Sequence, residues 1–449
     1  MNRVTPLSWQ TRGMPALPIA DHAMPWQAAG WHEPCVLLKL GEIVLKGKNR
    51  QQFERLLADN IRRAIRDLGF PVQLRQREGV IVLTLAAGQP PGAARAGAGR
   101  PGGGTVSAVP DPAAAEAAVD LLAERMSTVM GIARVCRAVR VAKDPEAAIA
   151  AAVHLTAGRT GSFAVRARRR DKRFPVTSAE LARLIGTRIQ QEHGYPVNLS
   201  RPDMTVFVEV DQSEVFVFTE GMPGQGGLPV SMSGRALVLM SGGIDSPVAA
   251  YRMMRRGLRC SFLHFSGMPL TGPESVYKAY GLVRELDKFQ GGSRLFVVAF
   301  GRAQQRLASS GAGRLQIMAQ RRLMLKTGEV MARRQRATAL VTGDSLGQVS
   351  SQTLTNITAL DDAVTLPILR PLIGLDKMEI MAEARRIRTL SISELPDQDC
   401  CSLLTPRQVE TRAKIQDLRR IEARLDVDDL AEELAAAAQE HTPDRHVAG

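Results

Sequence analysis

Residues 237–247 read Leu-Val-Leu-Met-Ser-Gly-Gly-Ile-Asp-Ser-Pro, and no other stretch of the 449 constrains the fold as strongly. The apolar start reads as a strand covered on both faces. Ser-Gly-Gly demands a tight turn, and Pro247 suits the first turn of a helix. Glycines let backbone N–H groups approach a phosphate closely, and the helix start adds the positive end of its dipole. Ser241 and Ser246 offer hydroxyls to phosphate oxygens, and Asp245 offers an oxygen ligand for Mg²⁺. No Gly-Lys-Ser/Thr follows, which excludes a Walker A loop. The alternation continues with a helix at 247–256, strands at 260–265, 295–300 and 339–342, and a helix at 316–334. Apolar strands alternating with helices predict a doubly wound parallel sheet, the α/β class.

The first half has a different texture. A strand from Cys35 leads to residues 41–50, Gly-Glu-Ile-Val-Leu-Lys-Gly-Lys-Asn-Arg, and then to a helix over 51–68 with Phe53, Leu56, Leu57, Ile61, Ile65 and Leu68 on one face. A strand at 79–85 precedes residues 86–115, almost all Ala, Gly and Pro. Such a segment buries too little apolar area to offset its ordering entropy, so it is expected to be a disordered insert, as is the extension 1–32. A helix over 116–130, a strand over 133–141, a helix over 144–155 and an alternating strand over 161–168 follow. Thr177-Ser-Ala-Glu180 reads as a capping box opening a helix to 193. Strands at 206–210 and 215–218 flank a hairpin turn, and 221–234 reads as a linker. After 412 the chain reads as one amphipathic, increasingly acidic helical tail.

Lysine and arginine number 59 against 45 acidic residues, a net charge of +14, which favours a polyanionic partner. The densest basic run is Arg166, Arg168, Arg169, Arg170, Lys172 and Arg173, with Lys46, Lys48 and Arg50 as a second cluster. Few aromatics interleave with either, so base stacking is not the main device. No apolar run is long enough to span a bilayer and no secretory signal opens the chain, so no membrane association is expected. Five cysteines cannot form a disulfide framework, which points to a reducing, cytoplasmic compartment. Cys35, Cys136 and Cys260 fall in apolar strand segments and read as core thiols. Cys400-Cys401 follows a turn-like polar stretch and is expected to be exposed. No Cys-x-x-Cys suggests a zinc or iron–sulfur site.

The loop at 241–246 resembles the PP-loop of the ATP pyrophosphatases, Ser-Gly-Gly-x-Asp-Ser. Three further strings resemble one family within them, the tRNA 4-thiouridine synthases or tRNA sulfurtransferases. These are residues 41–50, residues 342–353 (Thr-Gly-Asp-Ser-Leu-Gly-Gln-Val-Ser-Ser-Gln-Thr) and residues 369–377 (Leu-Arg-Pro-Leu-Ile-Gly-Leu-Asp-Lys). With the PP-loop they span 35–412. The resemblance implies a ferredoxin-like domain at 33–117, a THUMP RNA-binding domain at 118–222, a PP-loop domain at 223–413 and a helical tail at 414–449, an α/β and α+β multidomain chain. It implies ATP contacts at Leu239, Met240, Ser241, Gly242, Gly243, Asp245, Ser246, His264, Phe265, Arg321, Gly343 and Gln352. Read from residues alone, His264 better suits a satisfied histidine on a buried strand, and Arg321 equally suits a solvated helix face. Lys is an alternative at 321 in the family, and Glu is common where Asp344 stands.

The family also implies Mg²⁺ with the ATP, tRNA as substrate read by its shape and acceptor end, and a cysteine desulfurase as persulfide donor. Cys401 is favoured as the sulfur carrier, with Cys400 as the alternative. The expected reaction is conversion of uridine 8 of tRNA to 4-thiouridine. The chain resembles the short form of the family, without the rhodanese domain. A homodimer stays open. Rival readings are a PP-loop synthetase or amidotransferase acting on a small metabolite, and a non-catalytic tRNA-binding module.

Overall fold

The computed structural model describes residues 32–77, 79–85, 112–397, 404, 406 and 408–443. Most of the expected insert, most of the N-terminal extension, and Cys400 and Cys401 lie outside the described residues. The chain divides into two units: Val139–Thr219 belongs to one, and Pro34–Ala138 with Glu220–Gly449 makes the other.

In the larger unit the chain begins with β1 (His32–Leu40), two 3₁₀ turns, α1 (Arg50–Ala64), β2 (Val72–Arg77), β3 (Val80–Leu85), α2 (Pro112–Ser127) and the start of β4 (Ile132–Ala142). β3 pairs antiparallel with both β1 and β2. Val36, Leu38, Ile81 and Leu83 alternate inward and meet Leu57 and Ile61 of α1 and Leu122 and Met126 of α2. This is the ferredoxin-like portion. α1 ends at Ala64 rather than 68, and α2 begins at Pro112, inside the expected insert.

Glu42, in the first 3₁₀ turn, receives both Arg256 Nη groups at 2.8 and 3.1 Å and Lys46 Nζ at 2.8 Å. Hydrogen bonds from Arg256, then Lys46, lower its carboxyl to about 2. A depressed carboxyl stabilises the fold above its unfolded value near 4.5, and that contribution disappears as the pH falls through about 2. Glu42→Gln is therefore expected to lose stability at neutral pH but to show a shallower decline than the parent between pH 4.5 and 2 in urea titrations. Identical slopes would reject the link.

The smaller unit contains the end of β4, α3 (Pro145–Thr156), β5 (Phe163–Arg169), α4 (Ser178–His193), β6 (Met204–Val210) and β7 (Glu214–Phe218). Asp144 caps α3 through the Ala147 N–H, and Thr177 caps α4 through the Glu180 N–H. β6 and β7 form the expected hairpin, and β5 lies parallel to β6. Phe163, Val206, Val208, Val215 and Val217 pack against Ile149, Leu181 and Ile185 of the helices. This stretch, Val139–Thr219, lies within the span 118–222 expected for a THUMP domain.

Returning to the larger unit, the chain passes through β8 (Met222–Pro223), β9 (Arg235–Leu239), α5 (Asp245–Arg255), β10 (Arg259–Ser266), α6 (Glu274–Gln290), β11 (Leu295–Ala299), α7 (Gly301–Ser309) and α8 (Gln316–Arg334). It continues through β12 (Leu340–Val341), α9 (Leu354–Asp361), β13 (Ile368–Leu369), α10 (Lys377–Arg386), α11 (Leu390–Ser393), α12 (Ile415–Leu425), α13 (Val427–Ala436) and β14 (Gln439–His441). The sheet order is β13-β12-β9-β10-β11-β14, with the first five strands parallel. One core covers each face, around Leu263, Phe296 and Leu323 on one side and Val238, Tyr251 and Phe262 on the other.

The C-terminal segment departs from the expected single helical tail. Asp426 sits at φ +47° and breaks it into α12 and α13. Leu418, Ile421, Val427, Leu430 and Ala431 join the sheet core, and β14 closes the edge antiparallel to β11. Sequence periodicity could not foresee β14, because Gln-Glu-His has no strand signature. Its three residues make the short polar edge that protects a sheet from further pairing.

Candidate active site

From β9 the chain leads through α5 to β10 and then β11, while β12 returns to the other side of β9. The order therefore reverses between β9 and β12, where open α/β sheets bind ligands beyond their strand ends. The loop at 241–246 occupies that end of β9. Its shape is held by Ser246, buried at the start of α5. Ser241 N–H donates to Ser246 Oγ at 3.0 Å, the two hydroxyls lie 3.1 Å apart, and Gly243 N–H donates to Ser241 Oγ at 3.3 Å. Met240 packs beneath, its sulfur accepting from Ser246 Oγ at 3.3 Å, and Leu239 is half-buried at the strand end.

Two glycines show how tight the crevice is. A Cβ on Gly343, just past β12, would lie 2.8 Å from Ser246 N. One on Gly242 would lie 2.7 Å from Asp397 Oδ2. The approach at Gly343 is to backbone and requires glycine, whereas a side chain at 242 would displace the Asp397 carboxylate. With the α5 N-terminus behind it, the loop has the cradle and dipole that suit a polyphosphate.

Around this cradle stands a charged group. Arg321 of α8 donates to Asp344 Oδ1 at 2.5 Å, Arg370 Nε to Asp344 Oδ2 at 3.3 Å, Gln352 Nε2 to Oδ1 at 3.2 Å and Thr342 Oγ1 to Oδ2 at 2.8 Å. Burial opposes the Asp344 charge, but Arg321, the Thr342 hydroxyl and Arg370 outweigh it and hold the carboxyl below its usual range. Arg321 is thus oriented by a buried anion rather than solvated on a helix face. Gln352 Oε1 is buried with no hydrogen-bond partner, an acceptor left over at the crevice.

His264 is almost fully buried, with one ring nitrogen 2.9 Å from Met240 O and the other 3.2 Å from Ser275 Oγ. Its imidazole is a strut joining β9, β10 and α6, so residue 264 has only backbone to offer a ligand. Phe265 is likewise committed, edge-on to Phe300 at 5.2 Å.

Asp245 accepts from Lys377 Nζ at 2.8 Å and from Gln348 Nε2 at 3.1 Å. Lys377 and Gln348 were not singled out from sequence, although both lie in motif strings. A lysine at the first position of α10 opposes the helix dipole, a local cost that hints at an anion nearby. Asp376 and Glu379 fix that position with a reciprocal capping box at 2.8 and 3.1 Å. Among the described residues no group of three His, Cys, Asp or Glu side chains could hold a metal alone.

The basic residues divide. Arg166 and Arg168 project to one exposed face of β5, and Lys172 is exposed beyond it. Arg169 instead donates to Phe174 O at 3.2 Å and Val176 O at 2.6 Å, a structural role. Arg170 N–H joins the strand end to Val210 O. Arg173 is exposed but pairs with Asp171. In the larger unit Lys46 pairs with Glu42 and Arg50 with Glu54, while the Lys48 side chain lies outside the described residues. Cys260 is fully buried and its thiol is pushed up to about 12 by that burial. Cys35 and Cys136 are equally buried, which leaves none of the three suited to nucleophilic work.

Family models match three segments: a ThiI ferredoxin-like domain over residues 35–96, a THUMP domain over 146–220 and "Thiamine biosynthesis protein (ThiI)" over 231–427. A probable tRNA sulfurtransferase of Nocardia farcinica is 50% identical over 419 residues, covering 92% of this chain and 94% of that protein. One of Thermus thermophilus is 39% identical, covering 89% and 90%. A crystal structure of a 4-thiouridine synthetase–RNA complex with bound ATP superimposes with a TM-score of 0.78 at 28% identity, over 92% of this chain and 100% of that one.

Proposed function

The chain belongs to the tRNA sulfurtransferase family, and from that premise we propose that it makes 4-thiouridine at position 8 of tRNA, activating the base with ATP and replacing its oxygen with persulfide sulfur. The observation that carries this reading is the crevice between β9 and β12, where the glycine-lined loop, Arg321 and the Asp245–Lys377 pair converge. Buried Gln352 Oε1 is an acceptor suited to a donor on the nucleotide. Leu239, Met240 and the backbone of His264 and Phe265 would flank the base, and Gly343 would lie against the ribose and phosphates.

In the first step uridine O4 attacks the α-phosphorus, the bond to the bridging oxygen breaks, and pyrophosphate leaves. Loop N–H groups, Ser241 and the α5 N-terminus hold the departing charge, and Arg321 and Lys377 supply the cations. Asp245, the nearest loop carboxylate, would help hold a Mg²⁺ bound with the nucleotide, which would supply charge neutralisation of the phosphates. The bound AMP is then the leaving group at C4. The terminal sulfur of a Cys401 persulfide, charged by a cysteine desulfurase, attacks C4 and the C4–O bond to AMP breaks. The tRNA is now joined through C4–S–S–Cys401. A second thiolate, with Cys400 adjacent in sequence, attacks the Cys401 sulfur, releasing C4=S, and an external dithiol reduces the resulting disulfide by two electrons and is itself oxidised to a disulfide. The exposed Arg166 and Arg168 face and Lys172 would meet phosphates. The uridine must leave its stack to reach the crevice.

The test uses unmodified tRNA, ATP, Mg²⁺ and a persulfide donor, with digested nucleosides read by mass spectrometry. We expect 4-thiouridine from the wild type, under 1% of it from Cys401→Ser, and from Cys400→Ser a tRNA joined to Cys401 that releases 4-thiouridine only on addition of external thiol. Reversal of those two results moves the carrier to Cys400. ATP turnover indifferent to tRNA, with no thiolated nucleoside, would overturn the reading in favour of a small-molecule substrate.

A further inference from the structure

The helix α6 turns one polar edge toward the phosphate loop. Ser275 and Lys278 stand three residues apart on it, and both are buried. Ser275 Oγ lies 3.2 Å from one ring nitrogen of His264, whose other nitrogen meets Met240 O, the last carbonyl before the loop. Lys278 is only 7% exposed, and its Nζ donates to Leu395 O at 2.7 Å and to Asp397 Oδ1 at 3.0 Å. A Cβ on Gly281, three residues further on, would lie 3.4 Å from Ile392 Cγ2, so α11 rests on the same edge.

The other side of this contact is the loop itself. Asp397 Oδ2 is buried, has no hydrogen-bond partner among the described residues, and would lie 2.7 Å from a Cβ on Gly242. Lys278 Cδ and Cε would lie 3.2 and 3.4 Å from the same point. Ser393 Oγ donates to Gly243 O at 3.3 Å. Residues 393–397 therefore form a clasp on Gly242 and Gly243, closed by one lysine. The lysine also answers a problem of charge. An unneutralised carboxylate against Gly242 would repel any polyphosphate the loop holds, and partly buried surroundings screen that repulsion poorly.

On the reading of this crevice as the nucleotide site, we infer that Lys278 is a positioning residue for ATP: it closes the clasp on Gly242 and Gly243 and cancels the Asp397 charge beside them. None of the motif strings includes it. Burying a lysine with an aspartate is costly and adds little net stability, so a packing need alone would be met as well by apolar residues. The pair gains its use from its place. Gly242 and Gly243 carry N–H groups of the phosphate cradle, and a loop already held in shape loses less conformational freedom when the nucleotide binds.

Calorimetric titration with ATP and Mg²⁺, without tRNA, compares wild type, Lys278→Met, Asp397→Asn and the double variant. Lys278→Met is expected to bind ATP at least tenfold more weakly than wild type, and Asp397→Asn more tightly. The double variant should recover most of the loss, because the uncompensated carboxylate is gone. An ion pair that served stability alone would weaken both single variants alike. That result, or Lys278→Met within threefold of wild type, overturns the inference. If Lys278→Met fails to fold, Asp397→Asn decides, and weaker binding by it overturns the inference. In tRNA-dependent pyrophosphate release, Lys278→Met should raise the KM for ATP at least tenfold with kcat within threefold, because saturating nucleotide reseats the loop. A tenfold fall in kcat at unchanged KM overturns it. Wild type that binds no ATP sinks the functional reading and the inference together. Wild type that binds ATP but forms no thiolated nucleoside sinks the functional reading alone, and the titrations still decide on Lys278.

Discussion

Lys377→Met is expected to lower tRNA-dependent pyrophosphate release at least a hundredfold while leaving the fold nearly as stable as before. A hundredfold corresponds to about 2.7 kcal/mol of transition-state stabilisation, the size of one well-placed charge in a preorganised site. The side chain is 42% exposed and its partner Asp245 24%, so the pair contributes little to folding. Its position is nonetheless tightly specified: the Asp376–Glu379 capping box fixes the start of α10, and Nζ reaches Asp245 across 132 residues of sequence. A cation at a helix N-terminus works against the dipole, and the neighbouring carboxylate offsets that cost until phosphates arrive. Lys377→Arg should retain part of the rate, since charge persists while its planar geometry does not match a compact ammonium. A melting-temperature change below 2 °C with the rate loss would place the effect in the chemistry. A rate within threefold of wild type would remove Lys377 from it.

What could be read from the sequence was whatever is local. The strand–Ser-Gly-Gly–helix turn announces itself because glycine, serine and an N-terminal proline each answer a backbone requirement within ten residues. The helix at 316–334 appears with the same boundaries because its apolar spacing is regular over five turns. Long-range partnerships left no such trace. Asp245 reads as an open metal ligand until Lys377 is folded onto it from 132 residues away. The basic run at 166–173 looked uniform, yet only the fold shows Arg169 turned to backbone carbonyls and Arg173 paired with Asp171. The tail misled for the opposite reason. Its helical periodicity is real, but one residue in the left-handed region and a three-residue edge strand carry no periodic signal.

Arg321 and Arg322 are neighbours on α8, about 100° apart around the helix, and they are expected to fail in opposite ways. Arg321 faces Asp344 and the crevice. Arg322 is 1% exposed and faces the core. There Nε meets Glu422 Oε1 at 2.5 Å, and Nη2 meets Glu422 Oε2 at 3.0 Å and Asp362 Oδ2 at 3.1 Å. A fourth contact runs from Nη1 to Ala359 O. Burial works against its charge, but Glu422 and Asp362 outweigh it and keep the guanidinium protonated. Arg322→Met fills much of the volume yet leaves the Glu422 carboxylate buried without its cation, while Asp362 keeps Arg419. Breaking one side of such a pair costs about 3–5 kcal/mol, which should appear as a lower urea midpoint for the larger unit. Arg322→Met with Glu422→Leu should recover at least half, because the uncompensated charge then goes with its partner. At a temperature where it stays folded, Arg322→Met should release pyrophosphate within threefold of wild type, whereas Arg321→Met should unfold near the wild-type midpoint and lose nucleotide turnover. A midpoint for Arg322→Met within 1 kcal/mol of wild type would mean that α12 is not held to α8 through this arginine.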